Sequence, residues 1–204
     1  MTGALLILGS VTAFVFVAVL LMLGQGRAGY DAVYHTGSEL MLGDRGWIQR
    51  VSFLQFGVGM VVFAVGVNQA LNSVIGTVLF AIFGLGSIVS GAFLPDPIRG
   101  YPPEVPRGNS GGVSWQHKVH NAAGPIMFLA IFGACLALAG RLEGAWQLYT
   151  ILTAVVGFAL TVATAIAWQR DAARTGLVQR ALIVVYLAWI ALLGIHLATT
   201  PPQG

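Results

Sequence analysis

The architecture is decided by the first stretch of the chain, "MTGALLILGSVTAFVFVAVLLMLGQGR" (1–27). From Ala4 to Leu23 it carries no charged residue, and about 20 apolar residues suffice to cross a bilayer as a helix. A secretory leader would have a basic segment first and an apolar run of about 7–15 residues. Neither condition is met, so the stretch reads as a retained membrane-spanning helix. Five further apolar segments follow, which places spans at about 3–24, 51–68, 71–94, 121–140, 146–168 and 178–198. The expected fold is all-α: a polytopic integral membrane protein, a six-transmembrane-helix bundle forming a single membrane domain over 1–204.

Composition supports this reading. The 204 residues are 57% hydrophobic and 8% charged, against about 25% charged in an ordinary soluble domain. Lipid is therefore the solvent for most side chains, and the bilayer is the first expected partner. Ten Lys and Arg spread over short connections make no basic stripe, which excludes a nucleic-acid surface. The single cysteine, Cys135, sits in an apolar run and excludes an internal disulfide. Glycines and serines in "GVGMVVFAVG" (57–66), "GLGSIVSGA" (84–92) and "GACLALAG" (133–140) recur at spacings that let helix backbones approach closely. Trp189 and Tyr186 read as packing or interface residues.

The connections are unequal. Those around "NQALN" (68–72) and "RLEG" (141–144) are tight, whereas 25–50, 95–120 and 169–177 are long and, with six spans, share one face. Nine of the ten basic residues and six of the seven acids belong to this loop-rich face; Arg141 and Glu143 lie opposite. The positive-inside rule makes it cytoplasmic. Its Pro/Gly-rich loop, 95–118, includes "PDPIRGYPPEVPRGNSGG" (95–112), which excludes a helix there. It is either a linker or a lid over the bundle mouth anchored by Tyr101.

Three polar clusters meet on this face: "YHTGSELMLGDRGWIQR" (34–50) preceded by Asp31, "FLPDP" (93–97) and "WQHKVHN" (115–121). Were 34–42 helical, His35 and Glu39 would share a face, as would His117 and His120. A metal alternative therefore joins His35, Asp96, His117 and His120, with Glu39 as ligand or general base. Against it, Ser38 and Glu39 serve equally well to cap a short helix, and Asp96 to pair with Arg99. The polar vestibule is then Ser38, Glu39, Asp96, His120, Asp31 and His35, a network satisfying backbone groups that lipid cannot. No cofactor is expected. A bis-histidine haem needs partners at one depth, and His196 lies at the far face from the other three histidines.

The ordered motifs "GYDAVYHTGSELMLGDRGWIQR", "GAFLPDP", "VHNAAG" and "GLVQR" resemble the DUF998 family of bacterial membrane proteins, with a fainter likeness to the Frag1/DRAM/Sfk1 six-helix proteins. The first resemblance implies a bacterial plasma membrane and points to Ser38, Glu39, Asp96 and His120 as the residues matching the family pattern. The second implies a first loop facing away from the cytosol, opposite to the charge count. Neither implies a reaction. Three functions follow as expectations: binding or handling a lipid or small amphiphile at the vestibule, a membrane-embedded hydrolase with or without zinc, or a proton-coupled transporter.

Overall fold

Lipid offers no partner to a backbone amide, so a chain this apolar satisfies its main chain within helices. The computed structural model describes residues 1–108 and 112–200. It has six long helices: α1 (Thr2–Leu23), α2 (Gly46–Leu71), α3 (Val74–Ala92), α4 (Trp115–Ala139), α5 (Gly144–Gln169) and α6 (Thr175–Thr199). All six are long and apolar enough to cross a membrane. Among the described residues the one strand-like pairing is an isolated antiparallel bridge between Arg99 and Arg107. Part of the Pro/Gly-rich loop, 109–111, lies outside the described residues.

Two helices begin at least a full turn earlier than their apolar runs. Helix α2 starts at Gly46 rather than 51, and α4 at Trp115 rather than 121. The Ser114 hydroxyl caps α4 by accepting the His117 N–H at 3.1 Å, so the helix starts where a cap exists. Hydropathy follows side chains, and these first turns carry polar ones. At the opposite face, α2 passes to α3 in two residues, with Asn72 in the left-handed region (φ 48°) and Ser73 capping through Gly76 N–H at 3.2 Å.

Each helix packs against its neighbours in sequence, and α6 closes on α1, giving a ring of six. Small residues set the closest approaches. A Cβ added at Gly84 would stand 2.6 Å from the Gly57 carbonyl oxygen, so α2 and α3 touch through backbone there. In the half of the bundle remote from the loops the centre is filled. Phe80 stacks on Trp189 with centroids 5.9 Å apart, and the Trp189 indole donates to the Thr150 hydroxyl at 2.9 Å. Tyr186, Trp189 and Cys135 are all fully buried, hence packing residues rather than interface anchors.

Gly84→Ala is expected to cost about 1–3 kcal/mol through overpacking against fixed backbone, read as a lowered unfolding temperature in detergent. Gly124→Ala, whose Cβ meets nothing within 4 Å, should leave that temperature unchanged or raise it.

Candidate functional site

The first loop is built against the start of α6. An α-helix leaves its first N–H groups without partners, and here Gly176 N–H donates to Tyr34 O (3.1 Å) and Leu177 N–H to Val33 O (2.9 Å). One turn on, the buried Arg180 reaches back with Nη1 to Ala32 O (2.6 Å), His35 O (2.8 Å) and Gly176 O (3.0 Å). Its Nη2 donates to the Tyr30 hydroxyl, which in turn donates to Thr36 O at 2.9 Å. Burial pushes the Tyr30 phenol up to about 12 against the pull of the Arg180 charge, so it stays a donor. Arg27, also buried, holds Leu40 O at 2.8 Å, and Gln179 Oε1 accepts Gly37 N–H at 2.8 Å.

Within this frame 34–42 is not an α-helix. Gly37–Met41 forms a single 3-10 turn, and His35 precedes it. The buried Glu39 carboxylate turns back to accept the Thr36 N–H (2.7 Å) and hydroxyl (2.9 Å), a capping arrangement. Ser38 Oγ lies 3.2 Å from Thr36 Oγ1. His35 Nδ1 accepts the Asp31 N–H at 2.9 Å, so its Nε2 carries the proton and donates to Arg99 O at 3.2 Å. This bond ties the first loop to the Pro/Gly-rich loop. Tyr101 completes the tie: it is buried, 5.2 Å from the Tyr30 ring and 5.6 Å from His35, with its hydroxyl on Leu42 O. The Pro/Gly-rich loop thus covers the first loop.

Asp96 does not pair with Arg99. It accepts both the Ser114 N–H (2.6 Å) and the Ser114 hydroxyl (2.7 Å), and its own N–H donates to His117 Nδ1 (2.8 Å). Burial alone would raise its pKa; the two Ser114 donors and the neighbouring His117 outweigh that and hold the carboxyl below its usual range. With Nδ1 accepting, His117 Nε2 is the donor, so the amide oxygen of Asn121 belongs opposite it at 2.6 Å. Arg99 instead meets Asp171 at 3.2 Å. His120 sits 2.9 Å and 3.0 Å from Phe93 O and Ser90 O at the end of α3 through Nδ1. A nitrogen between two carbonyls carries the proton, which leaves Nε2 as an acceptor in the neutral ring.

The sequence-derived vestibule therefore divides. Asp31, His35, Ser38 and Glu39 share the first-loop network, Asp96 serves the start of α4, and His120 bonds the end of α3. The metal set of His35, Asp96, His117 and His120 does not converge: each imidazole bonds locally, and no three His, Cys, Asp or Glu among the described residues are grouped to hold an ion. Glu39 is likewise occupied by its cap.

What the bundle does hold on this face is a cavity of about 320 Å³ touched by all six helices. Thr36, Ser38, His120, Asn121, Gln169 and Gln179 line one part; Phe16, Phe56, Phe83, Phe128 and Leu187 line another. From His120 to Phe128, Gln169 to Thr161 and Gln179 to Leu187 the lining runs eight residues along each helix, or about 12 Å at 1.5 Å per residue. The amides and the imidazole of the wall are confined to its loop-rich end, beside Trp168 and Leu20, while the deep end is mainly phenyl and aliphatic, with the Thr161 hydroxyl among them. Pro125, inside α4, also lines it; a proline has no N–H to give the carbonyl four residues back, that of Asn121. No residue of 95–108 contributes to this lining.

The model of a family described as "Protein of unknown function (DUF998)" matches residues 10–196. The chain belongs to that family. No curated protein and no solved structure matches it. Of the residues that organise the face of this DUF998 member, Ser38, Glu39, Asp96 and His120 were legible as motifs. The roles of Arg27, Arg99 and Arg180 were not, although "GLVQR" contains Arg180 and Arg99 was expected on Asp96, because an arginine near a helix end reads equally well as a topology signal. For Arg180 the available signal was its place a full turn inside α6, too deep for a loop charge.

A carboxyl held below its ordinary pKa of about 4 stabilises the fold above that pH and loses the contribution as the pH falls through the depressed value. Asp96→Asn should therefore lower the unfolding temperature by about 2–4 °C at pH 7, from about 1 kcal/mol of lost capping. The gap to the parent protein should close as the pH drops below about 4. Thermal unfolding in detergent across pH 3–8 measures both.

Proposed function

We propose that this protein binds a lipid or small amphiphile in the cavity on its loop-rich face. The observation that carries this reading is a mainly apolar wall whose amide and imidazole side chains all lie at the loop-rich end, about 12 Å from Phe128 and Leu187. Ligand pockets of about 300–1,000 Å³ with mainly apolar walls and a few placed polar groups suit such molecules. His120 Nε2 and the amide N–H groups of Gln179 and Asn121 are available to the polar part of the ligand that enters the cavity, and the phenyl rings of Phe16, Phe56 and Phe83 to a chain. A hydrolase would need a base on its nucleophile, whereas the Ser38 hydroxyl meets that of Thr36.

Native mass spectrometry from a non-ionic detergent should show an amphiphile bound to the parent protein. Gly124→Phe puts a ring where α4 has open space at the cavity wall, and should reduce the bound fraction at least about tenfold while leaving the fold intact. Equal occupancy in parent and variant would remove the cavity from consideration.

The loop-rich face is proposed to be cytoplasmic. Arg27, Arg99 and Arg180 are buried, so they are poor topology signals. Six of the remaining seven basic residues still lie on that face. In a Cys135→Ala background, a cysteine at Glu104 should be unreactive to an impermeant maleimide in intact cells and reactive in inverted vesicles; the reverse pattern inverts the orientation.

A further inference from the structure

A second recess, of about 230 Å³, lies beside the cavity and is lined by Tyr34, Ile98, Arg99, Arg107, Trp168 and Asp171, with Gly108. Trp168 lines both spaces. Arg99 is only 6% exposed, and its guanidinium lies over the Tyr34 ring at 4.0 Å and the Trp168 ring at 4.8 Å. Aromatic faces cover the flat sides of this guanidinium, and its three nitrogens are themselves buried. None of Nε, Nη1 and Nη2 has a hydrogen-bond acceptor among the described residues. The 3.2 Å approach of Nη2 to Asp171 is an ion pair without hydrogen-bond alignment. Burying a charge with unmet donors is costly unless something else meets them.

Arg107 sharpens the point. It stands opposite Arg99 across the bridge, joined by Gly108 N–H to Ile98 O at 2.9 Å, and its guanidinium also lies over Tyr34, at 5.1 Å. Like charges directly opposite one another repel. The recess offers one carboxylate against two guanidiniums. That carboxylate, Asp171, is 64% exposed and already accepts the Tyr34 hydroxyl at 2.6 Å. One positive charge is left over, with planar donor forks of the kind that match phosphate oxygens.

We infer that the recess between Arg99 and Arg107 binds an oxyanion of the phosphate class. Resting on the cavity reading above, and on the wall that Trp168 shares between the two spaces, this anion is the headgroup of the bound amphiphile. The ligand is then an anionic lipid phosphate rather than a neutral amphiphile.

The test uses the full-length protein in phosphate-free, non-ionic detergent, titrated separately with three probes. These are inorganic phosphate, a single-chain lipid phosphate monoester, and the uncharged monoacylglycerol of the same chain. Native mass spectrometry and unfolding-temperature shifts read each. The phosphate lipid should bind at least about tenfold more tightly than the uncharged one. Arg99→Gln, and separately Arg107→Gln, should cut that preference to about threefold or less while leaving the uncharged lipid unaffected. Arg107 is exposed, so its variant keeps the test available if Arg99→Gln misfolds. Equal binding of phosphate probes by parent and Arg107→Gln protein overturns the anion site. Inorganic phosphate binding as tightly as the lipid phosphate keeps the anion site and overturns the headgroup assignment. A parent protein that binds inorganic phosphate but neither lipid refutes the cavity reading and leaves the anion site standing.

Discussion

Where a membrane helix starts at the edge of the hydrocarbon, its first amide N–H groups need acceptors and a neighbouring loop's carbonyls need donors, and lipid supplies neither. In this chain the start of α6 and the first loop meet each other's needs. Gly176 and Leu177 donate to Tyr34 and Val33, while Arg180 returns donors to Ala32 and His35. Much of the loop-rich face follows from that exchange. The fixed loop positions Glu39 to cap its own short turn and His35 to hold Arg99 O. The Pro/Gly-rich loop can then seat Tyr101 and bring Arg99 against Tyr34 and Trp168.

The spans were legible because a bilayer-length apolar run has few alternative readings. Their starts were less so, since Trp115–His120 looks like a loop by polarity yet is helical once Ser114 supplies a cap. At the site, the acids and imidazoles were found as motifs, but their spacing misled about partners. His35 and Glu39 are four apart, which pairs residues only on an α-helix; here a 3-10 turn starts after His35 and Glu39 bonds Thr36 instead. The cavity itself left no local mark, because it is space between residues from every helix. Arg99 and Arg107 are eight apart in a proline-rich loop, and nothing in their spacing announces a bridge.

The two halves of the bundle have different interiors. Toward the tight turns, Phe63, Phe80, Tyr186 and Trp189 fill the centre; toward the long loops it opens and is edged by hydroxyls, amides and one imidazole. Helix ends supply polar groups at little cost because the headgroup region is near, whereas the same groups at mid-depth would be expensive. The position of the cavity is therefore consistent with the membrane's own gradient of polarity.

The closure of the ring also orders events in time. Helices α1 to α5 can each settle on the preceding one as they leave the ribosome and enter the bilayer. The first loop must wait, because the guanidinium that holds Ala32 is 148 residues downstream. Until the last span arrives, a nascent chain lacks the donors that Gly176, Leu177 and Arg180 give to the first-loop carbonyls.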